Sequence, residues 1–218
     1  MSKNAKIALV DDHVLLRRAL ANLVRNLGYE VVLESDNGKK FIDALNPVIL
    51  PDLVLLDINM PEMDGYKTAL WLKQAYPKIR VLVLSMYDNE NAVIGMLKCG
   101  ARGYVLKDTE PAVLQEAIEE VLDKGFYHSE FFREGSVSPD DEPKPPVTDF
   151  SGYATLTAKE TEFLRQVCSE LTYKEIAARM DLSPRTVDSY RDILFEKLKI
   201  KSRVGLVLFA IKHGIVKI

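Results

Sequence analysis

Short apolar runs alternate with helical patterns through the first 132 residues, and this alternation restricts the possible folds more than any other feature of the chain. The runs are Ile7-Ala8-Leu9-Val10, Val31-Val32-Leu33, Leu53-Val54-Leu55-Leu56, Val81-Leu82-Val83-Leu84 and Gly103-Tyr104-Val105-Leu106. Most are continuously apolar, which predicts strands covered on both faces. Between them lie helical stretches such as Leu15 to Leu27, stopped by Gly28, and Asn89 to Cys99, stopped by Gly100. A glycine there accepts the left-handed backbone that ends a helix. Regular strand–helix alternation predicts an α/β domain with a parallel sheet between two helical layers.

The alternation ends at a different kind of sequence. Residues 133–150 hold Pro139, Pro143, Pro145 and Pro146 with Asp140, Asp141 and Glu142. Such a stretch has too little apolar surface to order itself, and its prolines favour extended backbone. It is expected to be a linker between a domain at 1–132 and a second at 151–218. Two domains also suit a chain of 218 residues. After the linker only helical patterns remain. Thr157 with Glu160, and Thr172 with Glu175, have capping-box spacing, and Ser183-Pro184 pairs an N-cap with a proline at the first helical position. A short turn at Asp181-Leu182 therefore joins two helices, which predicts a helix-turn-helix.

Open parallel sheets bind ligands beyond the carboxyl ends of their strands. The residues there are Asp11-Asp12 after the first strand, Asp57 at the third, Ser85 at the fourth and Lys107 at the fifth. Three carboxylates, a hydroxyl and an ammonium thus converge on one edge. Crowded carboxylates repel one another, and a hard divalent cation such as Mg²⁺ relieves this while binding a phosphoryl oxygen. The chemistry that suits the set is phosphoryl transfer to an aspartate nucleophile. His13 is expected to lie exposed in the first turn of the next helix, outside this set.

The pattern Asp11-Asp12, Asp57-x-x-Met60-Pro61-x-x-Asp64-Gly65, Ser85 and Lys107 resembles the receiver domain of response regulators over residues 5–124. The resemblance implies a doubly wound five-stranded sheet of order 2-1-3-4-5 with Asp57 as phospho-acceptor. It implies Mg²⁺ held by Asp12, Asp57 and the backbone carbonyl of Asn59, with Asp11 acting through water. Ser85 and Lys107 would contact the phosphoryl group, and Tyr104 occupies the switch-aromatic position. A sensor histidine kinase is the implied phosphodonor.

The second domain resembles the LuxR-type output domain of NarL/FixJ regulators. The carriers are Leu156-Thr157-x-x-Glu160, Lys174-Glu175-Ile176-Ala177, Leu182-Ser183-x-x-Thr186-Val187, Lys197-Leu198 and Lys201-Ser202-Arg203. The resemblance implies that the helix beginning near Pro184 enters the major groove of double-stranded DNA, and that the last helix, about Arg203 to His213, can pair two output domains. A homodimer is expected when the receiver is phosphorylated. Helical spacing turns Val187, Tyr190, Leu194 and Leu198 toward the core and leaves Arg185, Asp188, Ser189 and Asp192 as groove-reading candidates. Lys197, Lys199, Lys201 and Arg203 are the expected phosphate contacts. Two residues depart from the family. Glu170 replaces a usual glycine, so its turn either follows another path or strains a positive φ. Asp188 stands where lysine is common.

Charge agrees with this division. Residues 1–132 carry 15 Lys and Arg against 19 Asp and Glu, residues 133–150 carry 2 against 5, and residues 151–218 carry 12 against 8. Only the last part has the sign to meet a polyanion. Neither a membrane span nor a signal peptide is legible, so a cytoplasmic protein is expected. Cys99 and Cys168 read as buried free thiols. Two other functions use the same features. A haloacid-dehalogenase-like phosphatase also forms an aspartyl phosphate, but it places a second aspartate two residues after the first, where this chain has Asn59. A short helical output domain can also bind protein or RNA.

Overall fold

The computed structural model describes residues 5–86, 89–127 and 156–216. The chain divides into two units, Met1–Ser129 and Glu130–Ile218. The expected linker, residues 133–150, lies outside the described residues.

In the first unit the strands are β1 (Lys6–Val10), β2 (Glu30–Ser35), β3 (Leu53–Asp57), β4 (Arg80–Ser85) and β5 (Gly103–Leu106). The helices are α1 (Val14–Asn26), α2 (Gly38–Ala44), α3 (Gly65–Ala75), α4 (Glu90–Lys98) and α5 (Pro111–Lys124). All neighbouring strands are parallel, in the order β2-β1-β3-β4-β5. The continuous apolar runs have the predicted consequence. Ile7, Leu9, Leu53, Leu55, Leu82 and Leu84 pack on one face with Ala21 and Val24 of α1 and Ala117, Ile118 and Val121 of α5. Their alternates Ala8, Val10, Val54, Leu56, Val81 and Val83 are buried as well, so both faces are covered. Central β3 is buried at all five residues, whereas edge strand β2 is half-buried at Val31, Val32 and Leu33 and exposed at Glu30 and Glu34. Gly28 and Gly100 have φ of 90° and 100° just past α1 and α4, the stops expected of them.

The second unit contains α6 (Ala158–Val167), α7 (Tyr173–Arg179), α8 (Pro184–Leu198) and α9 (Arg203–Lys212). Both capping boxes form in full, Thr157 with Glu160 and Thr172 with Glu175, and Ser183 caps α8 ahead of Pro184. The helix-turn-helix bend is made by Asp181 at φ 54°, a left-handed conformation that aspartate tolerates better than most residues. Val187, Leu194 and Leu198 of α8 are buried, and Tyr190 stacks on Phe163 of α6 at 5.9 Å. Helix α9 buries Val204, Leu206, Val207, Leu208, Phe209 and Ala210, and it packs against α6. Among the described residues no helix is long and apolar enough to cross a membrane. Cys168 is buried as expected, but Cys99 at the end of α4 is half-exposed.

Candidate functional site

Strand register builds the acidic site. Val10 of β1 lies opposite Leu56 of β3, so Asp11 falls level with Asp57. Asp57 lies opposite Leu84, and Ser85 opposite Leu106, which sets Ser85 and Lys107 each one step further along the same edge. Strands about 4.8 Å apart thereby bring together side chains that are up to 96 residues apart in sequence. Asp11, Asp57 and Ser85 are almost wholly buried, as is the Lys107 side chain. Lys107 Nζ lies 2.8 Å from Asp11 Oδ2 and 3.0 Å from Asp57 Oδ1.

These ion pairs are close but poorly directed. Lys107 Nζ and Asp11 Oδ2 are buried, and neither makes a well-angled hydrogen bond. Asp12 Oδ1 is in the same position, although His13 Nδ1 is 2.9 Å away. Other parts of the site are properly satisfied. Asp57 Oδ1 accepts from the Ile58 amide at 2.8 Å, and Asp11 Oδ1 from the His13 amide at 2.8 Å. Burial pushes the Asp57 carboxyl above its ordinary range, with Lys107 opposing that rise and Asp11 adding to it. Buried carboxylate oxygens that accept no well-directed hydrogen bond are candidate ligands for a cation. Asp11, Asp12, His13 and Asp57 can bring one ligand atom each within 4.8 Å of one another. The donor set therefore fits the hard divalent ion that receiver domains bind in their acidic pocket.

Two loops hold the site in place. A Cβ on Gly65 would collide with the Asp57 carbonyl and the Ile58 Cα, so only glycine lets the start of α3 rest on the end of β3. Asp64 caps α3 through the Lys67 amide, and the Gly65 amide returns to the Ile58 carbonyl at 2.8 Å. Arg17 of α1 donates through Nη1 to the Asp11 carbonyl and so grips the loop bearing Asp11 and Asp12. Nothing in the sequence marks Arg17 for this role, because an arginine in an amphipathic helix looks no different from its neighbour Arg18. His13 departs from the expected place in the first turn of the helix. The imidazole is exposed, but His13 is the N-cap residue of α1 and its Nδ1 faces Asp11 and Asp12 at 3.2 and 2.9 Å. Tyr104 on β5 is buried, and Asn59 lies exposed in the loop after β3.

On the output unit the residues expected at DNA divide into two groups. Arg185, Ser189 and Asp192 are exposed on α8, and Asp188 is half-exposed. The Ser189 hydroxyl donates to the Arg185 carbonyl at 2.9 Å. Lys199 and Lys201 are exposed just beyond α8. Lys197 and Arg203 require correction. Lys197 Nζ is held by both Glu160 oxygens at 3.0 and 2.9 Å, tying α8 to the capping box of α6. Arg203 is buried, donating to the carbonyls of Val167, Ser169 and Leu171 at 2.7–3.2 Å. Its guanidinium closes the loop between α6 and α7 and is not presented to a phosphate. The same bonds explain Glu170. It is not among the residues with positive φ, so the loop takes the other path, with its carbonyls gathered on Arg203.

An acidic pocket on a 2-1-3-4-5 parallel sheet, followed by a capped helix-turn-helix, defines a two-part protein joining a phospho-acceptor domain to a nucleic-acid reader. Residues 7–119 match the response regulator receiver domain, and residues 154–210 match the luxR family of bacterial regulatory proteins. The nitrate/nitrite response regulator protein NarP of Escherichia coli K12 is 32% identical over 96% of both chains. DegU, a transcriptional regulatory protein of Brevibacillus brevis, is 30% identical over 98% of this chain and 95% of its own. Among solved structures, the receiver domain of the putative response regulator NarL from Mycobacterium tuberculosis aligns with a TM-score of 0.52 at 31% identity, covering 55% of this chain and 96% of that one. RcsB of Salmonella typhimurium shares the fold, with a TM-score of 0.55 at 23% identity over 95% of this chain and 98% of that one. The chain belongs to the response regulators with a LuxR-type output domain, DNA-binding transcription regulators of two-component systems.

Proposed function

We propose that this chain is a cytoplasmic regulator that takes a phosphoryl group on Asp57 from a sensor histidine kinase and, so modified, dimerises and binds promoter DNA through α8. The observation that carries this reading is Lys107, buried between Asp11 and Asp57 with ion-pair contacts but no well-directed hydrogen bond. An ammonium that only stabilised the fold would be expected to have its protons satisfied. One paired by charge with two carboxylates, its protons not aimed at either, is prepared for a further anion.

Each residue then has a task. Asp57 is the nucleophile, and its carboxylate attacks phosphorus as the bond to the kinase's histidine nitrogen breaks. Burial leaves that carboxylate poorly solvated, which favours attack. Lys107 supplies charge to the phosphoryl oxygens, and the Ser85 hydroxyl donates to one of them from the end of β4. Asp12, Asp57 and the Asn59 carbonyl, with Asp11 through water, would hold Mg²⁺, which supplies positive charge against the crowded carboxylates and the phosphoryl group. Tyr104 turns with Ser85 and reports the change to the surface of the domain. On the output unit, Arg185, Asp188, Ser189 and Asp192 face the bases, while Lys199 and Lys201 meet phosphates. Residues 1–132 and 151–218 are the proposed domains, joined by 133–150. Two linked half-site contacts strengthen binding through effective concentration.

Intact-mass measurement with acetyl phosphate and Mg²⁺ tests the acceptor. Wild type is expected to gain one phosphoryl group and Asp57→Asn none. Undiminished modification of Asp57→Asn would reject Asp57. Sedimentation with and without beryllium fluoride tests dimerisation, and a monomer in both states on DNA would reject it.

A further inference from the structure

Helix α8 carries an arrangement of charges that decides what a base-reading surface can offer. Arg191 Nε donates to Asp192 Oδ1 at 2.9 Å, and Arg191 Nη2 lies 2.8 Å from the same oxygen. On its other side Arg191 Nη1 donates to Asp188 Oδ1 at 3.2 Å. The guanidinium also lies over the Tyr173 ring of α7, 5.6 Å from its centroid, and that ring carries Arg203 at 5.3 Å. Tyr173 further stacks on buried Phe163 at 6.3 Å. Arg191 is therefore seated on the core of the domain and clasps one carboxylate on each side. Its side chain is about one-third exposed, whereas those of Asp188 and Asp192 are 51% and 64% exposed.

The consequence is chemical. With the guanidinium committed to two carboxylates, this stretch of the helix presents acceptors and few free donors. A carboxylate accepts from the cytosine N4 amino group and has nothing to give guanine O6 or N7. We propose that Asp188 and Asp192 are specificity-determining residues that read cytosine in the major groove, with Arg191 as the positioning residue that holds both. The inference rests on the proposal that α8 faces DNA. Residues four apart rise about 6 Å along a helix, close to two base steps of about 3.4 Å. The clasp therefore addresses two base pairs about two steps apart. It also repels phosphates, so binding to unrelated sequence is weakened while the right site is tolerated. Arg185, exposed one turn earlier, remains to supply a donor to a neighbouring guanine.

The test uses the full chain activated with beryllium fluoride and Mg²⁺, and duplexes selected by wild type from a random library. Affinities are measured at fixed salt for the selected site, its single-base variants and unrelated DNA. Asp188→Ala is expected to lose about tenfold discrimination at one cytosine position, and Asp192→Ala a similar factor at a second. Both should bind unrelated DNA more tightly. Asp188→Asn is the sharper variant, since an amide pairs with adenine N6 and N7; its preferred base should change from cytosine to adenine. Arg191→Ala should blunt preference at both positions, and Arg191→Lys should restore charge without restoring preference, because an ammonium lacks the planar fork. Circular dichroism checks that each variant is folded. If all duplexes change by one common factor, the clasp acts only through general electrostatics and the proposal is overturned. If wild type selects a site that contains no cytosine contact sensitive to Asp188 or Asp192, the clasp fails while DNA reading by α8 stands. If wild type selects no sequence, the reading beneath the proposal fails with it.

Discussion

Among the described residues the receiver unit buries the Lys107 ammonium and the output unit the Arg203 guanidinium, and the two are satisfied in opposite ways. Arg203 donates four hydrogen bonds to three carbonyls, each within 3.2 Å. Lys107 lies as close to two carboxylates, yet its ammonium has no well-directed hydrogen bond. Burying a charge is costly unless its hydrogen-bonding capacity is met. The output unit meets that cost with four directed bonds that close the loop between α6 and α7. The receiver unit meets it incompletely, leaving oxygens and an ammonium that a phosphoryl group and a metal ion can complete. The quality of satisfaction, rather than burial itself, separates the structural cation from the one available for chemistry.

The largest effect that could break this comparison is expected at Arg203. Replacing it by alanine strands three carbonyls and removes a buried side chain, and should destabilise the output unit by about 3–5 kcal/mol. Denaturant unfolding of the full chain, with hydrogen exchange followed at α6 and α9, would measure it. A loss below about 1 kcal/mol would remove Arg203 from the structural side of the comparison.

At Lys107 the loss should be smaller and should depend on pH. Lys107→Met leaves Asp11 and Asp57 facing each other without a counter-charge, at a cost of about 2 kcal/mol near neutral pH. The destabilisation should shrink as the solution is acidified and Asp57, whose carboxyl burial already raises, takes up its proton. Unfolding midpoints at about pH 5 and about pH 8 would show this, and a loss equal at both would mean that the carboxylates are not the partners that matter.

Asp57 gives the next smaller effect, with a definite sign. Its pKa is raised in the folded state, mainly by burial, so between the unfolded and folded pKa values the native protein binds more protons than the unfolded chain. Stability from this group is therefore fully present below the unfolded pKa and is lost as pH rises through the folded value. Asp57→Asn removes the charge that burial disfavours. It should raise the melting temperature at neutral pH by roughly 2–4 °C, the shift that about 1 kcal/mol produces in a protein of this size. A lower melting temperature would mean that Lys107 gains more from Asp57 than burial costs.

The smallest effect concerns backbone strain, which both units carry. Glu62, in the loop after the proposed acceptor, and Asp181, in the helix-turn-helix bend, have φ of 62° and 54°. Asp181→Gly should stabilise the output unit by about 0.5–1 kcal/mol, the left-handed penalty less the extra entropy that glycine loses. A destabilised variant would show that the aspartate side chain makes a compensating bond in the bend.

What the sequence revealed and what it concealed follow from how local each signal is. Strand ends, glycine stops and capping boxes are set by neighbours in the chain, so Asp57, Gly28 and Thr157 were legible. Parallel register then brought Asp11, Ser85 and Lys107 to the same edge without further information. The partners of Lys197 and Arg203 were not legible, because they lie 32–37 residues away. A basic run ending in Ser202-Arg203 looks the same whether its last guanidinium folds inward or meets solvent. His13 was misplaced for a related reason, since a one-residue difference at a helix start decides whether the ring joins the helix or faces the loop before it.

The central claim is that the chemistry at Asp57 governs the binding of DNA. The direct measurement is the affinity of the full chain for its selected site, with and without acetyl phosphate and Mg²⁺, for wild type and Asp57→Asn. The account predicts that the phosphodonor tightens binding by wild type about tenfold or more, in line with avidity between two half-sites, and leaves Asp57→Asn unchanged. Equal tightening of both proteins, or of neither while wild type is demonstrably phosphorylated, would contradict it.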